Sequence, residues 1–450
     1  MPNLSSQLRQ SATVKALAIG ILIVVLLIPL AMIEGVIKAR DRTNAEARDD
    51  IQQAWGKRQT IAGPVLVLPY ETVKEDSKGE PQIRRHELYV LPSQLNIEAD
   101  VDSEIRYRGI HNVPVYTADV RFAGQFNRMD PAALGIDHGT IRWQDVALVV
   151  GIADGRAIGE TPAATLNGKT FTFAPGGQVI DDLPPQIRVA LDTLTETDRG
   201  RPLEFEIQMA IRGSERLSFI PLGDTTNATL TSSWPSPSFN GNYLPSERQV
   251  SDDGFEATWQ VSSIGRSFPS QWRRGTNTAK SMSSEAFGVE FFMPIGIYRL
   301  TLRAATYGVL FIVLTFISYF LIETVAGLSL HPLQYLMVGS ANLIFFLLLL
   351  SLAEHIGFAP AYLVSALASS GLIVGYSTTV LGQRRRASMI AGVLLVLYGF
   401  LYMTLKAATY ALLAGSLGLW AALAIIMYLT RRIDWYAKTD LVQNTRVSGA

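Results

Sequence analysis

Two stretches of this 450-residue chain are too apolar and too long to be the core of a water-soluble protein. Residues 17–33 form the first stretch, and the second extends from about residue 304 to residue 430. A helix needs ~20 apolar residues to cross the ~30 Å hydrocarbon layer of a bilayer. The second stretch therefore predicts a five-helix bundle at residues 301–430, with membrane helices at 304–322, 333–353, 359–381, 389–405 and 408–429. With the first stretch included, the sequence predicts an integral membrane protein with six spans. Its first predicted partner is the lipid bilayer that these helices cross.

The first apolar stretch is predicted to remain in the mature protein as a signal anchor. Arg9 and Lys15 precede it, as basic residues precede a secretory signal, but no small-residue cleavage site follows it. We therefore expect a cytoplasmic N-terminus at residues 1–16 and a transmembrane anchor at 17–37. Residues 38–56 contain no proline and predict a charged helical stalk.

Arginines in the C-terminal loops predict the orientation of the chain. Three arginines at 384–386 lie between the fourth and fifth spans, and two more at 431–432 follow the sixth. Because Lys and Arg accumulate in cytoplasmic loops, we expect both termini, including a tail at 431–450, to be cytoplasmic and residues 57–300 to lie outside. Cations at positions 38, 40 and 42 favour the opposite orientation. They alternate with acidic residues and precede a long translocated region, so the C-terminal clusters decide the prediction.

The region between the apolar stretches has the period-two pattern of β-strands. Five apolar residues alternate with more polar ones at Leu203, Phe205, Ile207, Met209 and Ile211. The dipeptides at 167–168 (Asn-Gly) and 253–254 (Asp-Gly) predict tight turns. Many strands with little helical pattern between them predict an all-β domain at residues 57–300, either an antiparallel sandwich or an extended curved sheet. The weakly patterned stretch 174–200 is the predicted position of any internal break.

The sequence carries no motif of a catalytic or cofactor site. There is no cysteine, which excludes disulfides and thiolate chemistry, and the net charge of zero gives no basic footprint for nucleic acid. Nucleophile-elbow, zinc-protease, Walker and dinucleotide-binding patterns are missing. We therefore predict no enzyme activity, no cofactor and no metal site, and we interpret His86, His111 and His138 as solvated loop or turn histidines.

Polar residues at the ends of the predicted spans are the candidate functional residues, because polar groups at membrane depth are costly and often functional. Glu323 and His331 form a predicted pair at the cytoplasmic face. A second cluster is predicted at the outer face, where it would link the soluble domain to the bundle: Arg299, Arg303, Glu354, His355 and Lys406. The alternative is that these charges only solvate the ends of helices.

Four further residues are predicted to pack the helices together. Gly371 and Gly375 have the G-x-x-x-G spacing that permits close helix contact, and we expect this contact inside the bundle rather than between two copies. Asn342 and Gln334 are predicted to make hydrogen bonds between helices.

Several of these residues belong to longer motifs. The chain contains His331-Pro332-x-Gln334-Tyr335-Leu336, the run LLLLSLAEHIGF at 347–358 and the run TRRIDWY at 430–436. These motifs, with Trp234-Pro235-x-Pro237-Ser238-Phe239 in the soluble region, resemble the CreD family over nearly the whole chain. Ala353 stands where that family usually has serine. The resemblance implies an inner-membrane protein of a Gram-negative bacterium, with a periplasmic domain and a role in envelope integrity. It implies no reaction and no catalytic residue.

Three hypotheses of function follow. The first is an envelope-integrity factor whose periplasmic β domain binds a protein partner or an envelope component without catalysis. The second is a transporter or lipid-handling protein that uses the polar residues at the membrane edges. The third is a periplasmic carbohydrate-active hydrolase, in which four aromatic residues would form a sugar platform beside acidic residues. The four aromatics are Trp234, Phe239, Tyr243 and Trp259, and the candidate acids are Glu247, Asp252 and Asp253.

Overall fold

The structure, a computed structural model, describes residues 12–75, 80–127, 134, 136, 139–181, 183–198, 201–275, 278–291, 293, 296–407 and 410–431. The described chain forms two compact units. Residues 12–44 and 296–431 make up one, which we call the membrane unit, and residues 45–293 make up the other, the β unit. The residues 1–11 of the predicted cytoplasmic N-terminus and 432–450 of the predicted tail lie outside the described residues.

Eight α-helices occur in the described residues: α1 Ala12–Trp55, α2 Thr278–Ser284, α3 Ile297–Thr306, α4 Gly308–Ala326, α5 Pro332–Ile356, α6 Phe358–Val380, α7 Arg384–Lys406 and α8 Ala411–Thr430. Within this part of the chain, six of them are long and apolar enough to cross a membrane, namely α1 and α4 to α8. The predicted number of spans is therefore confirmed. The first span and the stretch predicted as a stalk belong to one continuous helix, α1.

The second span begins later than the sequence indicates. The prediction starts at residue 304, whereas helix α3 ends at Thr306 and α4 begins at Gly308. A Cβ atom on Gly308 would lie 2.9 Å from Leu30 Cδ1 and 3.1 Å from the ring of Phe346. This glycine therefore permits α4 to approach α1 and α5 closely at the point where the helix breaks.

The membrane unit has a core of aliphatic and aromatic side chains. On α1, Leu26, Leu30, Ile33 and Ile37 are buried at the three- and four-residue spacing of one helix face. They join the same cluster as Phe316 and other apolar residues of α4 to α7. The opposite side of α1 is apolar and exposed, as expected for a helix that faces lipid.

Eighteen strands occur in the described residues of the β unit: β1 Gln59–Glu75, β2 Pro81–Val90, β3 Gln94–Arg108, β4 His111–Phe126, β5 Gly139–Ile141, β6 Ala147–Ile152, β7 Ala163–Leu166, β8 Lys169–Thr172, β9 Ala174–Gly177, β10 Gln186–Ala190, β11 Leu203–Ser214, β12 Arg216–Phe219, β13 Thr225–Ser232, β14 Pro237–Gly241, β15 Glu247–Ser251, β16 Gly254–Ser262, β17 Gln271–Arg273 and β18 Phe287–Phe291. The alternation predicted for β11 is confirmed, because its apolar residues are buried at every second position. The turn at 167–168 is also confirmed: Asn167 and Gly168 have φ of 44° and 81° and join the paired strands β7 and β8.

The strands form two sheets that share one hydrophobic core. Of the two predicted architectures, the structure therefore has the sandwich and not the extended curved sheet. One sheet has the order β14-β18-β12-β1-β6-β10-β9, with β2, β5 and β17 at its side, and the other has the order β15-β16-β13-β3-β4-β11-β7-β8. Most strand pairs are antiparallel as predicted, but β1 pairs with β12 and β3 with β13 in parallel. No internal break occurs in the described part of 174–200, because β9 and β10 extend the first sheet.

The last turns of α1 belong to the β unit. Ile51 is buried against Val113 and Val115 of β4, and the Trp55 indole N–H donates to the carbonyl of Tyr116. Nearby, the buried carboxylate of Glu215 accepts hydrogen bonds from Arg48 of α1 and from Arg58, whose Nη2 atom lies 2.6 Å from Oε2.

Candidate functional site

Glu323, predicted at the cytoplasmic face, is the centre of a polar cluster in the membrane unit. Its side chain is only 3% exposed, and Oε1 lies 2.6 Å from Lys15 Nζ of α1. The same oxygen accepts the backbone N–H of Leu330 at 3.0 Å, and Oε2 accepts the Tyr335 hydroxyl at 2.7 Å. A buried carboxylate is tolerated only with such partners. The cluster therefore holds three parts of the unit together: α1, the end of α4 and the start of α5.

His331, the second residue of that predicted pair, caps helix α5. Its Nδ1 accepts the N–H of Leu333 at 3.2 Å, and its own N–H donates to Gln334 Oε1 at 2.9 Å. This reciprocal arrangement is a capping box. The prediction that Gln334 bonds between helices is wrong, because its position in the first turn directs it back to His331.

The predicted hydrogen bond of Asn342 between helices is not formed either. The residue is 1% exposed, and neither of its side-chain polar atoms has a partner among the described residues. The same is true of the hydroxyls of Thr315 and Ser365.

Glu354, at the opposite end of α5, is partnered by residues that the sequence analysis did not select. The Tyr298 hydroxyl of α3 donates to Oε1 at 3.0 Å, and Arg40 Nε of α1 lies 3.9 Å from the same oxygen. Burial and the Glu354 carboxylate raise the pKa of Tyr298, so its hydroxyl remains a donor. Three helices therefore meet at this carboxylate.

The other members of the predicted outer cluster do not join it. His355 is exposed, and its Nδ1 lies 3.0 Å from the carbonyl of Ser351 in its own helix. Lys406 is exposed near the ring of Tyr402. Within the described chain, neither Arg299 nor Arg303 forms an ion pair with Glu354. Of the five residues predicted for the outer cluster, only Glu354 is part of the observed one. Its partners there are Arg40 and Tyr298.

Gly371 and Gly375 lie on the outer face of α6. Both are exposed, and a Cβ atom on either would meet no atom of the protein within 4 Å. The opposite face carries the buried Ser365 and Ser369, and the Ser369 hydroxyl donates to the carbonyl of Ala341 at 2.8 Å. The prediction that the two glycines pack inside the bundle is wrong, because the serines occupy the inner face.

The β unit contains a basic cleft of about 610 Å³ that the sequence analysis missed. Five arginines from four separate parts of the chain line it, together with His86, Tyr70, Glu87 and Asp145. We call this site the arginine cleft, and its arginines are Arg85 on β2, Arg142 after β5, Arg188 on β10, Arg273 on β17 and Arg274 just beyond it.

Carboxylates fix the positions of several of these arginines. Arg142 Nη1 lies 2.8 Å from Glu71 Oε1 and its Nε lies 2.6 Å from Asp145 Oδ2. Arg85 contacts the same oxygen of Glu71 at 3.1 Å. The hydrogen bond from Arg142 lowers the pKa of the Glu71 carboxyl, so this anchor stays ionised.

Arg188 differs from its neighbours. It is exposed on β10, and its side chain forms no ion pair or hydrogen bond with any described residue. Three of its neighbours are paired with carboxylates: Arg85 and Arg142 with Glu71, and Arg274 with Glu87. The guanidinium group of Arg188 lines the cleft without a carboxylate partner among the described residues. Guanidinium groups bind carboxylates and phosphates through paired N–H donors. The arrangement is therefore suited to an anionic ligand.

One histidine prediction is corrected in the same cleft. His86 is not in a loop but on β2, where its ring stacks on Tyr70 with centroids 5.0 Å apart. Its Nε2 lies 3.0 Å from the hydroxyl oxygen of Thr72. His138 lies outside the described residues.

The aromatic residues considered for a sugar platform belong to the core instead. Trp259 is buried, its ring 5.9 Å from that of Phe239 and 5.4 Å from that of Phe287. Tyr243 packs edge-on against Phe287, and Trp234 is buried beside Phe291. These rings face one another and do not form an open platform.

Comparisons with known proteins agree with the resemblance. The family model described as inner membrane protein CreD matches residues 11–436. The inner membrane protein CreD of Escherichia coli strain K12 is 33% identical over 419 residues, which are 92% of this chain and 92% of that protein. A mutant M1 zinc metallopeptidase of Deinococcus radiodurans, bound to a Tyr-Ser-Ala substrate, is similar over 45% of this chain and 42% of its own at 11% identity, with a TM-score of 0.22, too low to carry any argument.

The family match and the six candidate spans identify a multi-pass protein of the inner membrane. The chain belongs to the CreD family of inner membrane proteins.

Proposed function

We propose that this protein supports the integrity of the cell envelope by binding an anionic envelope component or partner through its β unit, without catalysing a reaction. The arginine cleft is the observation that carries the proposal. Five guanidinium groups converge there, and Arg188 has no partner among the described residues. An exposed arginine that no carboxylate neutralises is available to a ligand from solution.

We further propose that the β unit is periplasmic and that both termini are cytoplasmic. The support is the arginine cluster at 384–386, which begins helix α7 directly after α6. Three arginines beside a short loop at the end of a span are typical of the cytoplasmic side. In this orientation the arginine cleft is exposed to envelope components and not to cytoplasmic anions.

Charge reversal in the cleft tests the proposed function. In a bacterium that lacks its own copy of the gene, we expect the wild-type protein to restore survival under detergent or cell-wall antibiotic stress, and Arg188→Glu to fail. Arg84→Glu is the matched control, because Arg84 is an exposed arginine on β2 that does not line the cleft. Protein levels are compared by immunoblot. Full restoration by Arg188→Glu would contradict the proposal.

A second candidate is transport through the bundle, favoured by the amide of Asn342, which has no hydrogen-bond partner in the described part of the chain. A buried amide without a partner inside a membrane is costly and suits a site for water or a polar solute. If the bundle transports, Asn342→Leu should abolish restoration of survival while the protein remains at its normal level. If Asn342 has no such role, the leucine variant should restore survival and be at least as stable as the wild type.

A further inference from the structure

The membrane unit contains a pocket of about 420 Å³ beside the ion pair of Lys15 and Glu323. Its walls come from the first turns of α1, the end of α4, and the start of α5 with the loop before it. All of these lie at one end of the apolar helices, where a membrane-spanning bundle meets the headgroup region. We call this site the α1–α5 pocket.

The lining of the pocket changes from polar to apolar along α1. Lys15, Ser329 and His331 lie at one end, and Ala18, Ile19 and Leu22 continue the wall into the apolar part of the helix. Leu22 is seven positions after Lys15, which corresponds to about 10 Å of helix. Deeper still the gap closes, because Leu26 is buried and a Cβ atom on Gly339 of α5 would lie 2.3 Å from its Cδ1. The pocket is therefore a wedge with a polar mouth and an apolar end.

The polar mouth offers hydrogen-bond donors to an anion. Lys15 donates one N–H to Glu323, and its ammonium group has three. Because His331 Nδ1 accepts the N–H of Leu333, the neutral ring carries its proton on Nε2 and can donate it. Glu323 already accepts from Lys15, Leu330 and Tyr335, which use three of the four acceptor sites of its carboxylate.

We propose that the α1–α5 pocket holds one phospholipid, with its phosphate at Lys15 and His331 and the upper part of an acyl chain along Ala18, Ile19 and Leu22. Along the wall of the pocket, polar residues are followed by apolar ones. In a phospholipid the polar phosphate is likewise followed by an apolar acyl chain. The volume admits the phosphate, the glycerol and the first part of a chain, and the rest of the lipid extends into the bilayer. This site is independent of the arginine cleft, since it lies in the other unit.

Native mass spectrometry of the detergent-solubilised full chain tests the proposal. With phosphatidylglycerol added, we expect wild type to retain one lipid that Ala18→Trp does not retain, because the indole fills the pocket. The matched control is Ala16→Trp, since Ala16 is exposed on α1 and does not line the pocket. Equal retention by wild type and Ala18→Trp would overturn the proposal.

A second variant keeps the test decisive if Ala18→Trp does not fold. Lys15→Gln combined with Glu323→Gln removes the ammonium without leaving a buried carboxylate unpaired, and should weaken lipid retention roughly tenfold. Phosphatidylethanolamine should be retained like phosphatidylglycerol, because the phosphate is common to both. Glycerol 3-phosphate at the same concentration should not be retained. Equal binding of glycerol 3-phosphate would mean a site for free phosphate and would contradict the lipid.

Discussion

Lys15 and Glu323 lie 308 residues apart in the sequence and form an ion pair of 2.6 Å. We expect Lys15→Met to destabilise the protein by about 3–5 kcal/mol, because the buried carboxylate then has no cationic partner. The measurement is thermal unfolding of the detergent-solubilised chain. Lys38→Met, at an exposed position of the same helix, is the control and should unfold like the wild type.

The double variant separates charge from packing. Lys15→Met with Glu323→Gln should recover most of the lost stability, because neither charge is then left buried alone. If Lys15→Met alone unfolds at the wild-type temperature, the ion pair does not hold α1 to α4.

Glu215 makes the stability of the β unit depend on pH. Burial disfavours its charged form, but attraction by Arg48 and the hydrogen bond from Arg58 outweigh burial and lower the pKa of the carboxyl from its ordinary value of 4.5. The stabilisation is therefore fully present above pH 4.5 and is lost as the pH falls through the lowered pKa. We expect Glu215→Gln to be less stable than wild type at pH 7, by about 1–3 kcal/mol.

Thermal unfolding between pH 7 and pH 3 tests this dependence. Tryptophan fluorescence is a suitable signal, because five of the seven tryptophans belong to the β unit. The difference between wild type and Glu215→Gln should shrink below pH 4.5. A difference that stays constant down to pH 3 would mean that the charge of Glu215 is not the cause.

Two glycines of neighbouring helices should respond oppositely to the same substitution. A Cβ atom on Gly339 would lie 2.3 Å from Leu26 Cδ1 and 2.9 Å from the Phe316 ring, whereas one on Gly371 would meet nothing. We expect Gly339→Leu to cost about 1–3 kcal/mol through overpacking, and Gly371→Leu to leave the unfolding temperature unchanged or raise it. Destabilisation by Gly371→Leu instead would indicate that a second copy packs against α6.

The membrane spans and much of the sandwich were predictable because each follows from a local pattern. Crossing a bilayer requires an apolar helix of fixed length, and a half-buried strand requires alternation, as in β11. Parallel pairing of β1 with β12 was not predictable, since the register Gln59 to Leu217 depends on contacts between residues far apart in the sequence. A local sequence pattern predicts that a strand exists, whereas contacts between residues far apart in the sequence determine which strand pairs with it.

The candidate sites were predictable only in part. A carboxylate at the end of a span is conspicuous, which is why Glu323 and Glu354 were selected. Which residues become their partners, here Lys15 and Tyr298, depends on how each helix is rotated about its axis. The spacing of residues in the sequence does not specify that rotation. Apolar residues on both faces of α6 likewise gave no indication that Gly371 faces outward. The arginines of the cleft come from four parts of the chain that are far apart in the sequence, where only the doublets at 84–85 and 273–274 indicate the site.

Glu354 and His355 are adjacent in sequence but should differ in importance. Glu354→Ala removes the acceptor of the Tyr298 hydroxyl and the contact with Arg40, so we expect a loss of about 1–3 kcal/mol in stability. His355→Ala removes an exposed side chain and should be neutral. If His355→Ala nevertheless abolishes function at normal protein level, the outer cluster has a role beyond joining α1, α3 and α5.

The orientation of the chain can be measured directly by cysteine labelling. Because the chain contains no cysteine, a single introduced cysteine is the only residue of the protein that a maleimide reagent labels. Lys169 is exposed at the turn between β7 and β8, and Gln383 is exposed just before the arginine cluster that begins α7. Three candidate spans, α4 to α6, separate these positions, so they should lie on opposite sides of the membrane. We expect a membrane-impermeant maleimide to label Lys169→Cys in spheroplasts, and Gln383→Cys only after the membrane is disrupted. Labelling of both in intact spheroplasts would show that one of the three helices does not cross, and labelling of Gln383→Cys alone would invert the orientation and place the arginine cleft in the cytoplasm.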